Sequence, residues 1–280
     1  MISGFLLVNK DSGITSSRVV QIIKKRFDLN RVGHLGTLDP MATGLLIIAI
    51  NRATKFASLF LQSEKSYRAE VTLGIQTNTD DAEGEVISIR DVKINNTQAK
   101  KTLLSFLGEN SQFPPDFSAL KHKGKPMYKY ARDGVKIEKE ARKVLIKDIY
   151  NISIDLPKVS FDIDCSKGTY IRSIARDFGL KLDCGAHLSK LMRTKQEKFL
   201  ACDASSLDNL SLKDLISLED AFQDLDTIKL DEKEGIAFLN GRPIEINLDH
   251  HNLLRVYDAS NKFIAIGKNT SQGFKHEYLV

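Results

Sequence analysis

The stretch GHLGTLDPMATG, residues 33–44, places one carboxylate on a glycine-rich loop directly before the apolar run LLIIAI. This carboxylate, Asp39, could serve as a general base, a nucleophile or a metal ligand. A metal ion usually needs several nearby oxygen or nitrogen ligands, and the loop offers only His34. The spacing of its three glycines fits neither of the common phosphate-binding patterns. Two interpretations stay open: Asp39 caps an Asp-Pro turn, or it is a single acid that acts alone.

A second stretch, CSKGTYIRSIARDFG at residues 165–179, combines a Ser-Lys-Gly turn with the start of a helix. Tyr170 and Arg172 fall in the first turn of that helix. The helix dipole favours acidic side chains at this end, so an arginine there indicates another role. A carboxylate that accepts two hydrogen bonds from the guanidinium is the natural partner, and an exposed surface arginine is the alternative.

The segment KSYRAEV adds an aromatic candidate, because Lys65 and Tyr67 stand at the start of an alternating strand pattern. Tyr67 is either part of the core or a platform for a stacked nucleobase. Such stacking contributes about 1–3 kcal/mol per base.

The elements that must position these residues alternate irregularly between strands and helices. FLLVNK and LLIIAI are typical of buried strands, with a helix between them that Thr15 or Ser16 caps. Further helices are expected in TQAKKTLLSFLG, with Thr97 as its cap, and in TYIRSIARDFGLKL. RKVLIKDIYNISIDL and VSFDIDCS are typical of paired strands, and SLKDLISL of a surface helix. Because regular βαβ alternation is missing, we expect an α+β fold.

The sequence pattern changes near residue 228. The runs GIAFLNGRPI, LLRVYD, FIAIGK and HEYLV are typical of short β-strands with turns between them. We therefore predict a large domain over residues 1–227 and a small β-rich domain over residues 228–280.

The 280 residues include 42% hydrophobic residues and carry a net charge of +5, which is typical of a folded protein. The charge is unevenly distributed. Residues 121–147 carry ten basic and three acidic side chains, whereas residues 203–226 carry seven acidic side chains and one lysine. This indicates either a side that faces a polyanion or two solvated faces. The ten basic side chains are Lys121, Lys123, Lys125, Lys129, Arg132, Lys136, Lys139, Arg142, Lys143 and Lys147.

The three cysteines, Cys165, Cys184 and Cys202, are far apart and form no CxxC pair. This argues against a disulfide framework or a zinc site. The stretch MISGFLLVNK lacks the basic start of a secretion signal, and no apolar window reaches the length of a membrane span. We expect a cytoplasmic protein that contacts no membrane.

Six motifs in this chain resemble, in order, those of the TruB family of tRNA pseudouridine synthases. The resemblance is nearly continuous from residue 4 to about residue 200. One such motif would be weak evidence, whereas six in order are specific. The motifs are GFLLVNKDSGITSS, GHLGTLDPMATG, EKSYRAEVTLGIQTNTDDAEGE, PPDFSALKHKGKPMYKYARDG, CSKGTYIRSIARDFG and GAHLSKLMRT.

The resemblance implies a mixed, mainly antiparallel sheet with a central cleft, followed by a small C-terminal RNA-binding domain of the PUA type. It also implies that uridine is isomerised to pseudouridine in the T loop of tRNA, at position 55, with no metal or cofactor. The bond from C1′ to N1 breaks, the uracil turns while it stays bound, and C5 bonds to C1′. The target base must first be flipped out of its stack.

By position, Asp39 resembles the family's catalytic aspartate, which attacks C1′ or the uracil ring, or takes part in a route through a glycal. Arg172 resembles the arginine that pairs with this aspartate and favours its ionised form. The implied substrate contacts are the stacking Tyr67, Tyr170 near the ring, the apolar Leu191, His34, which helps hold the base out of its stack, and Lys10 and Lys65 at the rim of the site.

Much of the basic segment lies in residues 113–143, which resemble the thumb of stand-alone bacterial members of the family. Relatives that work inside guide-RNA particles lack this thumb. The resemblance thus implies binding of the tRNA T arm without a guide RNA, mainly through phosphates and loop shape. It also implies a monomer.

Two other functions stay open on the sequence alone. An RNA-binding or tRNA-folding module with dispensable catalysis would use the same cleft and thumb. A glycosidase would also break a glycosidic bond. Glycosidases generally need two carboxylates at a set separation, however, and the sequence shows no second acid in a matching motif.

Overall fold

The computed structural model describes residues 2–135, 137–246 and 253–280, so Lys136 of the basic segment lies outside the described residues. The strands are β1 (Gly4–Lys10), β2 (Val32–His34), β3 (Thr43–Ile50), β4 (Lys65–Leu73), β5 (Ile75–Thr77), β6 (Val86–Ile89), β7 (Gly108–Gln112), β8 (Lys121–His122), β9 (Lys125–Pro126), β10 (Arg142–Asp155), β11 (Lys158–Cys165), β12 (Ala186–Gln196), β13 (Phe199–Leu200), β14 (Ser205–Ser206), β15 (Ile216–Ser217), β16 (Thr227–Lys229), β17 (Leu253–Tyr257), β18 (Phe263–Thr270) and β19 (Gly273–Leu279). The α-helices are α1 (Ser16–Arg26), α2 (Ala57–Leu61), α3 (Asn96–Leu104), α4 (Met127–Arg132), α5 (Ile171–Lys181), α6 (Leu218–Ala221) and α7 (Glu232–Leu239). Short 3-10 helices cover Asn51–Phe56, Ala201–Asp203 and Leu212–Asp214.

The main sheet has the strand order β14-β1-β3-β12-β4-β11-β10-β7 and is mainly antiparallel. The two halves of this sheet meet where β12 runs parallel to β3. Only two residue pairs join them there, Met192 with Thr43 and Arg193 with Gly44. The expected α+β fold with a mixed sheet is therefore confirmed. The seam between β3 and β12 brings the loop that carries Asp39, in one half, close to β4, which pairs with β12 and carries Tyr67.

Helices α1, α3 and α5 pack on one face of this sheet. Val19 and Ile23 of α1 and Phe178 of α5 are buried there, in a core shared with the central strands. Thr15 caps α1, as expected, by accepting a hydrogen bond from the backbone N–H of Arg18. Helix α1, which precedes the loop of Asp39, and helix α5, which carries Arg172, are thus anchored to the sheet. They set the position of the loops beside them.

Three expectations about local structure are wrong. Asn95, not Thr97, caps α3, because Asn95 and Gln98 form a reciprocal capping box. SLKDLISL does not form one surface helix: Ser211 starts a 3-10 turn, β15 pairs with β1, and α6 begins only afterwards. GIAFL is helical rather than extended, because Asp231 opens α7 with a second capping box.

A small second sheet, β16-β17-β18-β19, forms the β-rich C-terminal domain together with α7. This sheet packs on the main domain through aromatic rings. Tyr278 lies 5.2 Å from the ring of Phe56, and its hydroxyl is 2.7 Å from Ser58 Oγ. A separate β domain is confirmed, whereas the boundary between residues 227 and 228, the extent of the thumb and the PUA likeness remain predictions.

Candidate active site

The loop that carries Asp39, residues 35–42, connects β2 to β3 and is fixed by α1. Ser16 Oγ accepts a hydrogen bond from the backbone N–H of Leu38 at 2.9 Å and lies 3.0 Å from the Leu38 carbonyl, to which it donates. The loop closes with a bond of 3.1 Å from the N–H of Ala42 to the carbonyl of Asp39. Asp39 therefore stands on a turn, in line with one of the two interpretations, but this turn also faces a pocket.

Lys10 lies beneath this loop and not at the rim of the site, where it was expected. Its side chain is 1% exposed, and its ammonium donates to the carbonyls of Asp11, Ile14 and Pro40 at 2.8, 2.7 and 3.1 Å. Burial lowers the pKa of Lys10 to about 8, although nearby acids oppose the shift. Lys10 thus supports the backbone next to Asp39. The sequence could not show this, because two of the carbonyls flank the turn after β1 and the third lies about 30 residues away, on the loop that carries Asp39.

Asp39 and Arg172 form an ion pair across the cleft. Arg172 Nε lies 2.9 Å from Asp39 Oδ2, and Arg172 NH2 donates to Asp39 Oδ1 at 3.0 Å. The arginine is almost fully buried, whereas the Asp39 side chain is 31% exposed and reaches the pocket. The two-point contact holds the carboxylate in one orientation and leaves part of it open to a substrate.

A second carboxylate, Asp81, joins this pair. It lies 3.4 Å from Arg172 NH1 and is 3% exposed. It also accepts bonds from the Thr79 hydroxyl and the backbone N–H of Glu83. Sequence reasoning missed Asp81 because NTDDAEGE has the composition of an ordinary turn. The segment instead runs beside β12, where Asp81 forms a bridge with Leu188.

The electrostatics of this cluster act in opposite directions on Asp39. Burial raises the pKa of Asp39 above its ordinary value of 3.8, Arg172 lowers it, and Asp81 raises it. The net direction is upward. Arg172 therefore favours the ionised form of the desolvated Asp39 carboxylate. Asp81 opposes this effect because it pairs with the same arginine.

The pocket beside Asp39 has a volume of about 290 Å³. Five of the residues identified from the sequence besides Asp39 line it: Arg172, Tyr67, Tyr170, Leu191 and Lys65. Tyr67 on β4 and Leu191 on β12 are 8% and 7% exposed, so each offers an apolar surface on adjacent strands. Burial raises the pKa of Tyr67 to about 12, and that of Tyr170 is raised for the same reason, so both phenols stay protonated at neutral pH.

The opposite wall of the pocket is held by two buried side chains of β12 that sequence reasoning missed. Arg193 donates to the carbonyls of Leu45 at 2.7 Å and Gly36 at 3.1 Å. Gln196 donates to the carbonyls of Leu35 at 2.6 Å and Phe60 at 3.1 Å. Gly36 has a φ of +133°, a conformation that favours glycine. In the sequence Arg193 belongs to the motif GAHLSKLMRT and Gln196 lies two residues beyond it, with no pattern to indicate that both point inward.

His34 and Lys65 differ in how they reach the pocket. His34 ends β2 and does not line the pocket, and its Nδ1 is buried without a hydrogen-bond partner. Burial lowers the pKa of His34, so its ring is neutral at physiological pH. Lys65 lines the pocket and donates to the carbonyl of Ser63 at 2.7 Å, and burial lowers its pKa to about 8.

The first residues of the predicted thumb pack directly on Arg172. The carbonyl of Phe117 accepts a bond of 2.8 Å from Arg172 NH2, and the carbonyl of Phe113 accepts one of 2.8 Å from Ser173 Oγ. Ser118 and Ala119 line the pocket. Residues 113–119 therefore contribute one wall of the pocket, just before the basic segment begins at Lys121.

No group of three or more His, Cys, Asp or Glu side chains suited to a metal ion occurs among the residues that the structure describes. Asp39 and Asp81 both face Arg172 instead of a shared vacant position. In the described ranges, moreover, no helix is both long and apolar enough to cross a bilayer. The chemistry that the site offers is that of a single oriented carboxylate beside stacked aromatic and apolar surfaces.

This fold and this site together are those of a pseudouridine synthase, and the chain belongs to the TruB family. The family described as "TruB family pseudouridylate synthase (N terminal domain)" matches residues 24–171, and "Pseudouridine synthase II TruB, C-terminal" matches residues 227–274. The chain is therefore an enzyme of the isomerase class.

Close relatives support this assignment over the whole length of the chain. A protein of Clostridium kluyveri called tRNA pseudouridine synthase B is 41% identical over 281 residues, which cover 97% of each chain. One of the same name from Chromobacterium violaceum is 39% identical and covers 98% of this chain and 93% of its own. The match thus includes the C-terminal domain.

Solved structures agree on the fold. A chain in the structure of an H/ACA RNP bound to a substrate RNA containing 2′-deoxyuridine is 22% identical, with a TM-score of 0.71, and the match covers 99% of this chain and 84% of that one. A chain of a Cbf5-Nop10-Gar1 complex gives 23% and 0.72, with the same coverage. At this identity the likeness concerns the fold alone.

Proposed function

We propose that this protein isomerises uridine to pseudouridine in the T loop of tRNA, at position 55, with Asp39 as its essential acid and no cofactor. The observation that carries the proposal is the Asp39–Arg172 pair at the edge of a pocket lined by Tyr67 and Leu191. A flipped base needs stacking surfaces and a group that reaches its glycosidic bond. The pocket supplies both.

The tRNA substrate is supported by the names of relatives that match nearly the full length of the chain. Recognition through the T arm without a guide RNA is supported by the thumb, whose Lys121, Lys123 and Lys129 are exposed. Such side chains bind phosphates, and single-stranded loops are the usual targets of specific RNA recognition. We propose that the enzyme acts as a cytoplasmic monomer.

The reaction needs three actions from the protein's own residues. Tyr67 and Leu191 hold the uracil after it has left the RNA stack, and His34, uncharged beside the loop, helps to keep it out. Arg172 keeps Asp39 ionised and oriented for attack on C1′ or on the ring, or for a glycal route. Tyr170, at the pocket wall near the ring, assists the last step, in which the proton on C5 is lost to solvent.

Orientation must provide a large share of the rate. An acceleration of six decades corresponds to about 8 kcal/mol of transition-state stabilisation. No single contact in the pocket supplies that amount. Because the uracil stays bound while it turns, the pocket keeps the two reacting atoms together, and such confinement can contribute about 7–11 kcal/mol.

The test is a release assay with a T-arm stem-loop that carries tritium at C5 of the target uridine. Wild-type protein without any added cofactor should release tritium to water, Asp39→Asn should not, and Asp208→Asn, an exposed acid on the far edge, should behave like wild type. Binding without release by the wild type would favour the RNA-binding or tRNA-folding module. Release by Asp39→Asn would remove Asp39 from its role.

A further inference from the structure

Arg193 is a fully buried charged side chain of the pocket that the Asp39–Arg172 pair does not explain. It is 1% exposed and lines the pocket. Its bonds to the carbonyls of Leu45 and Gly36 use two of its five N–H groups. In the described part of the chain it forms no ion pair with a carboxylate, and the hydroxyl of Tyr67 is the side-chain group that supports its charge.

The charged groups around Arg193 do not neutralise its positive charge. Its positive charge lowers the pKa of His34 and Lys65, in addition to the effect of their burial, and it adds to the lowering at Lys10. Asp39, the nearest acid of the pocket, is held by Arg172. An ion that is buried without a counter-ion costs several kcal/mol. A pocket that keeps such an unpaired positive charge is suited to a ligand that carries negative charge.

The proposed reaction generates such a charge on the uracil. When the C1′–N1 bond breaks, its electron pair stays on the ring and spreads over N1, O2 and O4, while C1′ bonds to an oxygen of Asp39 or C2′ loses a proton to give the glycal. If Asp39 adds to the ring, the electron pair moves to O4. The charge disappears when C5 uses that electron pair to bond to C1′, while the carboxylate leaves with its own bonding pair or, in the glycal route, C2′ takes back a proton. C5 then loses its proton and N1 gains one. Each route thus passes through an anionic ring.

We propose that Arg193 stabilises the negative charge that develops on the detached uracil, using N–H groups that Leu45 and Gly36 do not occupy. The proposal rests on the proposed function. Arg172 is unsuited to this role because two carboxylates already share its charge. Donors fixed in advance in a site shielded from water stabilise a developing charge best, and the loss of one typically slows a reaction about 10²–10³-fold.

The experiment measures how easily the bound ring becomes an anion. A T-arm stem-loop with 5-fluorouridine at the target position is bound to Asp39→Asn and to Asp39→Asn/Arg193→Gln, and the ¹⁹F signal is followed against pH. The ring should ionise at a lower pH in the first complex than in the second, by about one unit or more, as is typical of an opposite charge a few ångströms away. Equal values in the two complexes would overturn the inference.

Other outcomes separate this inference from the proposed function. Failure of Asp39→Asn to bind the stem-loop would contradict the proposed function itself. If Arg193→Gln does not fold, the ring in Asp39→Asn must still ionise at a lower pH than in free RNA, and the reverse result would overturn the inference.

A kinetic comparison distinguishes charge stabilisation from anchoring of the loop. In single-turnover assays Arg193→Lys, which keeps the charge, should retain more activity than Arg193→Gln, which keeps only a hydrogen-bond donor. Stem-loop affinity should change little in either variant. A faster Arg193→Gln would indicate that Arg193 only anchors the loop.

Discussion

Two buried arginines face the same pocket, and they differ in what neutralises them. Arg172, on α5, pairs with both Asp39 and Asp81 and donates hydrogen bonds to two backbone carbonyls. Arg193, on β12, has carbonyls and a phenol as its partners. The positive charge of Arg172 is therefore fully offset by carboxylates, whereas that of Arg193 is not. The proposed reaction moves an electron pair onto the base. It therefore needs an oriented, ionised carboxylate on one side of the pocket and a positive charge without a counter-ion on the other.

The largest effect should come from removing the balanced arginine. Arg172→Gln leaves Asp39 and Asp81 buried without a cation, and it should lower the free energy of unfolding by about 3 kcal/mol at neutral pH. This is the lower end of the usual range because the Asp39 side chain is 31% exposed and can be hydrated. Urea denaturation of the variant and wild type measures the difference.

The pH dependence of that loss checks its cause. A carboxylate whose pKa in the folded state lies above its unfolded value destabilises the fold as the pH rises through that range. The deficit of Arg172→Gln should therefore shrink as the pH is lowered. A deficit independent of pH would mean that Arg172 acts by packing rather than by charge.

The acid limb of the pH–rate profile should respond oppositely to the two partners of Asp39. Asp81 raises the pKa of Asp39, so Asp81→Asn should move the acid limb of the single-turnover rate to lower pH. Arg172→Gln should move it to higher pH. Asp208→Asn, far from the pocket, should leave it in place. Shifts of both variants in the same direction would show that Asp39 is not the group that titrates.

The side of Arg193 can be tested without touching its charge. Gln196→Met removes the donors that two buried carbonyls share, which should cost about 1–3 kcal/mol of unfolding free energy. Lys195→Met, at the neighbouring position, where the side chain is exposed, should change stability by less than about 0.5 kcal/mol. Thermal unfolding gives both values, and equal effects would show that the carbonyl bonds contribute nothing special.

The sequence predicted one side of the pocket better than the other, for a physical reason. Asp39, Tyr67 and Arg172 each stood out in their own segment, as an acid on a loop, an aromatic residue at a strand start and a cation at the wrong end of a helix. Asp81 and Arg193 gave no such local signal, because their roles depend on β12, which pairs with β4 and passes next to both loops. Pairings between distant segments are what a single sequence leaves open.

The remaining expectations show the same limit. Apolar runs or alternation predicted β1, β3, β4, β10 and β11, whereas the polar edge strand β7 gave no such signal. The β-like C-terminal runs were predicted except for α7, where a capping box outweighed the apolar pattern. The family resemblance implied a place at the rim for Lys10, but the carbonyls of Asp11, Ile14 and Pro40 hold it inside.

The smallest expected effect on the pocket is that of salt, which screens the exposed charges of the surface rather than the two buried arginines. Salt screens exposed charges much more than buried ones. Rising ionic strength should therefore weaken stem-loop binding steeply while the single-turnover rate at saturating RNA stays nearly constant. Lys121→Gln/Lys123→Gln in the thumb should reduce the slope of log affinity against log salt by up to about two, roughly one for each phosphate that is no longer bound. Lys213→Gln, among the acids of residues 203–226, should leave the slope unchanged. If salt lowered the rate at saturation as strongly as it lowered binding, the pocket would be open to ions, and the contrast between a balanced and an unbalanced buried arginine would lose its basis.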